Sequence, residues 1–152
     1  MHDDFFMKKA LRQAYLAYNA GEVPVGAVIV KDGKVISRAA NSREKSKNAL
    51  LHAELHAIQK ACKKLGGWRL TGCTLYVTLE PCIMCAGAVM NSRIDRVVIG
   101  ARDKKAGAYG SIIDINKLPV NHKPQVEFGV LEYECSDILK NFFKDLRLKK
   151  RN

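Results

Sequence analysis

Two segments thirty positions apart, His52-Ala53-Glu54 and Pro81-Cys82-Ile83-Met84-Cys85, hold three residues of the kind that ligate zinc and one carboxylate without an evident partner. A structural zinc site closes its tetrahedron with four Cys or His ligands, whereas a hydrolytic site keeps one position for water. Three ligands and no convincing fourth therefore point to a catalyst. Cys82 and Cys85, three apart on the first turn of a helix, share a face, and the free N–H groups of the helix N-terminus favour thiolates there. His52 supplies a neutral imidazole from a facing helix. At helical spacing Glu54 diverges from His52 by about 200°, so the two do not simply chelate one ion. The carboxylate can lean past the metal and carry a proton from a water whose pKa zinc lowers to about 7.

Each residue also has a bland reading. A lone C-x-x-C pair is equally a redox motif or half of a zinc ribbon, and a lone helical histidine is a packing residue. His56, four beyond His52, could share its face in the manner of an H-x-x-x-H pair, but a fourth protein ligand would displace the water, so packing beside the site is the better reading. Cys62, Cys73 and Cys135 have no partner at ligand spacing and read as small buried hydrophobes.

The elements that must position these groups follow from periodicity and punctuation. Residues 5–18 place Phe6, Ala10, Ala14 and Ala17 on one helical stripe, ended by Asn19-Ala20-Gly21. Val25–Lys31 and Lys34–Arg38 flank Asp32-Gly33, a two-residue hairpin signal. Ser42–Lys47 is a charged loop. Asn48 caps a predicted helix over Ala49–Leu65 that carries His52 and Glu54 and stops at Gly66-Gly67. A strand at Thr74–Leu79 leads to Pro81, which suits the first turn of a helix running to about Ser92. Arg96–Gly100 is a further strand, Ala101–Gly110 a loop, Gln125–Leu131 the last strand, and a basic helix occupies about 132–151. Strands alternating with helices after a hairpin give an α/β fold, a mixed sheet covered by helices on both faces.

With 152 residues and 47% hydrophobic composition, the chain reads as one domain, residues 1–152. The formal charge of +11 favours a polyanionic partner over a generically basic soluble protein, subject to where the charges lie. No uncharged apolar stretch approaches the ~18 residues that span a bilayer, and Met1-His2-Asp3-Asp4 starts acidic, so neither membrane nor export is expected. Five cysteines, two of them in C-x-x-C, favour metal over disulfides and hence a reducing cytoplasm.

The pair H-A-E and P-C-x-x-C matches the zinc deaminase signature. Beyond it, Val23-Pro24-Val25-Gly26-Ala27-Val28, Asn41, the run from Leu75 to Ala88, Gly100-Ala101-Arg102-Asp103, Gly107, Gly110-Ser111, Asn121-His122 and the Phe142-Phe143 basic tail closely resemble the bacterial tRNA-specific adenosine deaminases, the TadA group of the cytidine-deaminase-like superfamily. That resemblance implies a three-layer α/β/α cytidine-deaminase-like fold with a mixed five-stranded sheet. It further implies one Zn2+ per subunit on His52, Cys82 and Cys85, with Glu54 as proton shuttle. A zinc-activated water would attack C6 of a flipped-out adenine, turning adenosine to inosine at the wobble position of tRNA, by expectation the arginine tRNA. Substrate contacts carried over are Asn41, otherwise a turn asparagine, with Val23, Ala53, Asp103, Lys105, His122 and Phe143. The partners implied are a tRNA anticodon stem-loop and a second copy of the chain. Where family members show Asp-Pro-small-Ala before H-A-E, this chain has Asn48-Ala49-Leu50-Leu51, which alters how that helix starts.

Residues 140–151 hold six basic residues against one acidic, with Phe142 and Phe143 among them. Cations neutralise phosphates and aromatic faces stack on unpaired bases. One phenylalanine is expected in the core. Arg102, Lys104 and Lys105 form a second basic group. Two rivals stay open: a deaminase of a free base or nucleoside, which would not need so basic a surface, and a silent RNA-binding subunit with structural zinc, against which Glu54 speaks.

Overall fold

The computed structural model describes residues 2–151. Its helices are α1 (Asp3–Asn19), α2 (Ala53–Leu65), α3 (Ile83–Ser92) and α4 (Glu132–Arg151), with a 3-10 turn at Ile115–Lys117. The strands are β1 (Gly26–Lys31), β2 (Lys34–Ala40), β3 (Cys73–Leu79), β4 (Arg96–Ala101) and β5 (Gln125–Phe128), in the sheet order β2-β1-β3-β4-β5. β1 runs antiparallel to β2 and β3, while β3, β4 and β5 are parallel, so the sheet is mixed as expected.

Strand side chains alternate between two cores. Ala27, Ile29, Leu75, Val77, Val97 and Ile99 face α2 and α3 with Ala53, Ala57, Ala61 and Val89. Val28, Val30, Tyr76 and Val98 face α1 and α4 with Met7, Ala10, Ala14, Cys135 and Ile138. Helices therefore cover both faces, in three layers. The stripe of α1 is wider than its alanines suggest, since Met7 and Leu11 are buried beside them. At its start Asp3 accepts a two-pronged bond from Arg96, 2.9 and 2.6 Å, and a third from the Tyr76 hydroxyl, 2.7 Å. Arg96 also donates to Glu127, so one guanidinium ties α1, β4 and β5.

The hairpin turn lies at Asp32-Gly33, both with positive φ, the conformation a two-residue turn needs and glycine adopts freely. Besides shifts of one or two residues at α1 and β1 to β4, three boundaries differ from the sequence reading. α2 begins at Ala53 rather than Ala49, because Asn48 turns its Oδ1 to the Leu50 N–H and closes a local turn instead of capping the helix, leaving His52 extended as N-cap. α3 begins at Ile83 with Cys82 as N-cap, so Pro81 lies ahead of the first turn rather than in it. β5 stops at Phe128, since Gly129 and Leu131 take positive φ and leave the ladder.

Candidate active site

The N-termini of α2 and α3 converge. His52 and Cys82 are their N-cap residues, and Glu54 and Cys85 lie in their first turns. His52 is therefore not on its helix, and the expected divergence of His52 from Glu54 arises across a cap. The extended His52 backbone swings the imidazole to the sulfurs while Glu54 turns inward. His52 Nδ1 lies 3.7 Å from Cys82 Sγ and 3.5 Å from Cys85 Sγ, and all three ligand atoms fall within 4.8 Å of one another. Tetrahedral bonds of ordinary Zn–N and Zn–S length put nitrogen and sulfur about 3.6 Å apart. The donor set thus fits zinc in kind, number and spacing. Among the described residues no other metal-ligating cluster of His, Cys, Asp or Glu forms, and His56 is outside this one. Its backbone N–H bonds the His52 carbonyl, and burial, then Lys60, holds its imidazole below the ordinary value.

The electrostatics follow from this packing. The Cys82 thiol is drawn down to about 4, first by the hydrogen bond from Cys85 and then, against burial, by His52. Cys85 is pushed up, first by Cys82 and then by burial, so the first proton leaves from Cys82. The imidazole of His52 is raised by its bond to Cys82. Glu54 is 4% exposed, and burial pushes its carboxyl up to about 7 despite the opposing pull of its own backbone N–H and of His52. A carboxyl that gives and takes a proton near neutrality is what general acid–base chemistry uses.

These groups open on a cleft of about 200 Å³ lined by Val23, Asn41, His52, Ala53, Glu54 and Asp103, among others. That is below the ~300 Å³ at which drug-sized sites begin and commensurate with a single flat heterocyclic base. At the end of β2, Asn41 donates from Nδ2 to the Val23 carbonyl, 3.2 Å, while its buried Oδ1 has no partner. Asn41, a lining residue, thus holds a buried acceptor that the protein leaves unpaired. Asp103 accepts the backbone N–H groups of Lys105 and Ala106. Lys105 itself is exposed and outside the lining. Also outside the lining are His122, half-buried with its Nε2 donating to the Ile94 carbonyl at 2.6 Å, and Phe143 on α4, 41% exposed against the edge of Phe142. Phe142 is the phenylalanine that packs inward, against Tyr18. Of the remaining cysteines Cys73 and Cys135 are buried, whereas Cys62 is half-buried with its thiol towards the Trp68 carbonyl.

Two charged cleft residues, Arg43 and Glu80, were given no role from the sequence. Glu80 is 2% exposed, and its carboxylate accepts the N–H groups of Asp103, Tyr109 and Ser111 and the Ser111 hydroxyl. It fixes the 103–111 loop that forms one wall. Gly107 follows from it, since a Cβ there would lie 2.2 Å from the Glu80 carboxyl carbon. The run Leu79-Glu80-Pro81-Cys82 with Gly107 and Ser111 carried that signal.

A family model for MafB19-like deaminases matches residues 1–147. The tRNA-specific adenosine deaminase of Bacillus subtilis (strain 168) is 50% identical over 98% of this chain and 93% of its own length. The chain belongs to the tRNA-specific adenosine deaminase family. Among solved structures, one from a study of A-to-I editing by tRNA:A34 deaminases at the wobble position of transfer RNA has a TM-score of 0.87 and 45% identity, covering 89% of this chain and 99% of that one. The guanine deaminase of Bacillus subtilis is more distant, with a TM-score of 0.64 and 34% identity over 80% of this chain and 88% of that one. Membership makes the chain a deaminase with the cytidine-deaminase-like fold.

Proposed function

We propose that this single domain, residues 1–152, converts adenosine to inosine at the wobble position of tRNA, with the arginine tRNA as first substrate to test. The observation that carries this reading is that the His52, Cys82 and Cys85 cluster, the Glu54 carboxyl and the unpaired Asn41 Oδ1 belong to one ring-sized cleft in a chain half-identical to a tRNA adenosine deaminase. His52, Cys82 and Cys85 would hold one zinc per subunit, which supplies Lewis-acid activation of water near neutral pH.

The chain's own residues do the rest. Adenosine and water become inosine and ammonia. Glu54 takes the water's proton, passes it to the ring nitrogen beside C6, and assists departure of the amino group by a second transfer. Its burial matters here, because it raises the carboxyl's hold on a proton, which the shuttle must keep between the two transfers. Asn41 presents Oδ1 to a donor on the base while Val23 holds its amide in place. Val23 and Ala53 bound the ring, and Asp103 closes the far wall.

Outside the cleft, Lys105 and Phe143 reach the anticodon loop by charge and stacking, and His122 keeps only Nδ1 for a contact. Homodimerisation fits the apolar groove of Leu55, Ile58, Trp68 and Ala88 between α2 and α3, with Trp68 53% exposed. Sedimentation of wild type against Trp68→Glu tests that face. Among the described residues no helix is long and apolar enough to cross a membrane, and none of the five cysteines is paired, which suits the cytoplasm.

The test is inosine formation by zinc-loaded protein on an adenosine-bearing arginine anticodon stem-loop, beside free adenosine, cytidine and guanine. Inosine on the RNA alone supports the reading. Turnover of a free base or nucleoside instead would keep the zinc chemistry and overturn the RNA substrate.

A further inference from the structure

Glu22 is a buried carboxylate with no place in the chemistry above. It is 2% exposed, directly precedes Val23 of the cleft, and accepts backbone N–H groups from another segment: Glu44 at 3.0 Å and Lys45 at 2.7 Å, one on each oxygen. A buried carboxylate is costly unless its oxygens are bonded, so these contacts hold the 42–48 loop in one place. Asn41 is fixed at the same point, through Val25 and Val23. The loop then closes on itself, Asn48 N–H to the Arg43 carbonyl and Ser46 N–H to that of Ser42, and is tied at its base to Leu51.

This rigid turn carries Arg43, Lys45 and Lys47. Arg43 lines the cleft together with His52 and Glu54, its side chain 48% exposed and only loosely engaged by Glu44 at 3.9 Å. Lys45 and Lys47 are exposed beyond it. A second lining loop holds Asp103 and Ala106, next to exposed Lys104 and Lys105 and to Arg102, which lies over the Phe128 ring at 3.8 Å. Both lining loops therefore carry exposed cations.

We propose that the 42–48 loop is a preshaped phosphate-contacting wall of the RNA site, in which Arg43 engages the phosphate adjoining the nucleotide in the cleft, Lys45 and Lys47 take the backbone beyond, and Glu22 is the positioning residue. This rests on the reading that an RNA strand enters the cleft. A preformed cationic wall lowers the ordering cost of binding and contributes through charge neutralisation rather than base identity.

The experiment is steady-state kinetics on the arginine anticodon stem-loop across salt concentrations for wild type, Arg43→Gln, Glu22→Gln and the double variant. Lys34→Gln, at the far tip of the hairpin, controls for removal of one charge. Arg43→Gln should raise KM about tenfold and flatten the log–log salt slope by about 0.7, with kcat changed less than about twofold. Lys34→Gln should move neither. Glu22→Gln should raise KM like Arg43→Gln and add little in the double variant, because both act through one loop. Wild-type KM and slope in Arg43→Gln would overturn the wall, and fully multiplicative effects would overturn the role of Glu22. Should Glu22→Gln not fold, Arg43→Gln still decides, with Arg43→Lys required to restore the slope. Adenosine 5′-monophosphate is run in parallel, since turnover of it that falls with Arg43→Gln would assign the phosphate to a free nucleotide. Failure of wild type to form inosine on the RNA would count against the proposed substrate, not against the loop.

Discussion

At the scale of single residues, the proposed division between three ligands and one proton carrier makes separable predictions. Glu54→Gln keeps shape and burial but cannot carry a proton, so it should retain zinc and RNA binding while turnover falls about 10²–10⁴-fold; substantial residual activity would place the carrier elsewhere. Cys85→Ala removes a fully buried sulfur of the cluster. Metal that binds only the folded state adds to its stability. Zinc-loaded wild type should therefore melt several degrees above its chelated form, and Cys85→Ala should show neither bound zinc nor that difference. These four residues were legible because type and spacing state their chemistry directly. Glu22 was not, since a carboxylate that bonds distant backbone N–H groups leaves no side-chain pattern in the sequence, and Glu80 was marked only by the run around it and by Gly107 and Ser111.

At the scale of elements, type and order could be read throughout, because each strand alternates between two cores and each helix keeps an apolar stripe. Boundaries failed where a side chain had a second use: Asn48 has the chemistry of a cap but closes its own turn, which shortens α2 and places His52 on the cap. The tie at the other end of the chain has a pH signature. The Asp3 carboxyl is held at about 2, against an ordinary 3.8, chiefly by its hydrogen bond to Arg96. The unfolded chain then takes up the proton first on acidification, so the stabilisation is complete above the ordinary value and lost as pH falls through the folded one. With a fifth to a quarter of the two side chains still in water, its size is about 1 kcal/mol. Asp3→Asn should be less stable than wild type by roughly that amount at neutral pH in urea unfolding, and the gap should close towards pH 2. A gap independent of pH would assign the effect to packing of α1.

For the whole molecule, the question is what a charge of +11 does when the fold needs little of it. On α4 the buried residues are Cys135, Ile138 and Phe142, and every residue from Phe143 to Lys150 is exposed. The end of that helix is held by its own hydrogen bonds and by Tyr18 on Asp145, not by a core. On the proposed reading, this basic, solvated helix end serves as counter-charge for an extended polyanion. Deleting residues 147–152 removes four cations and nothing buried among the described residues, so thermal stability should change little. Affinity for the stem-loop should fall more than kcat does, and the salt slope should flatten by about 0.7 for each phosphate that the shortened helix no longer neutralises. Filter binding across salt concentrations reads the slope and single-turnover kinetics reads the chemical step. Unchanged affinity with an unchanged slope would move RNA recognition onto the loops beside the cleft, one carrying Arg43 and the other Lys105.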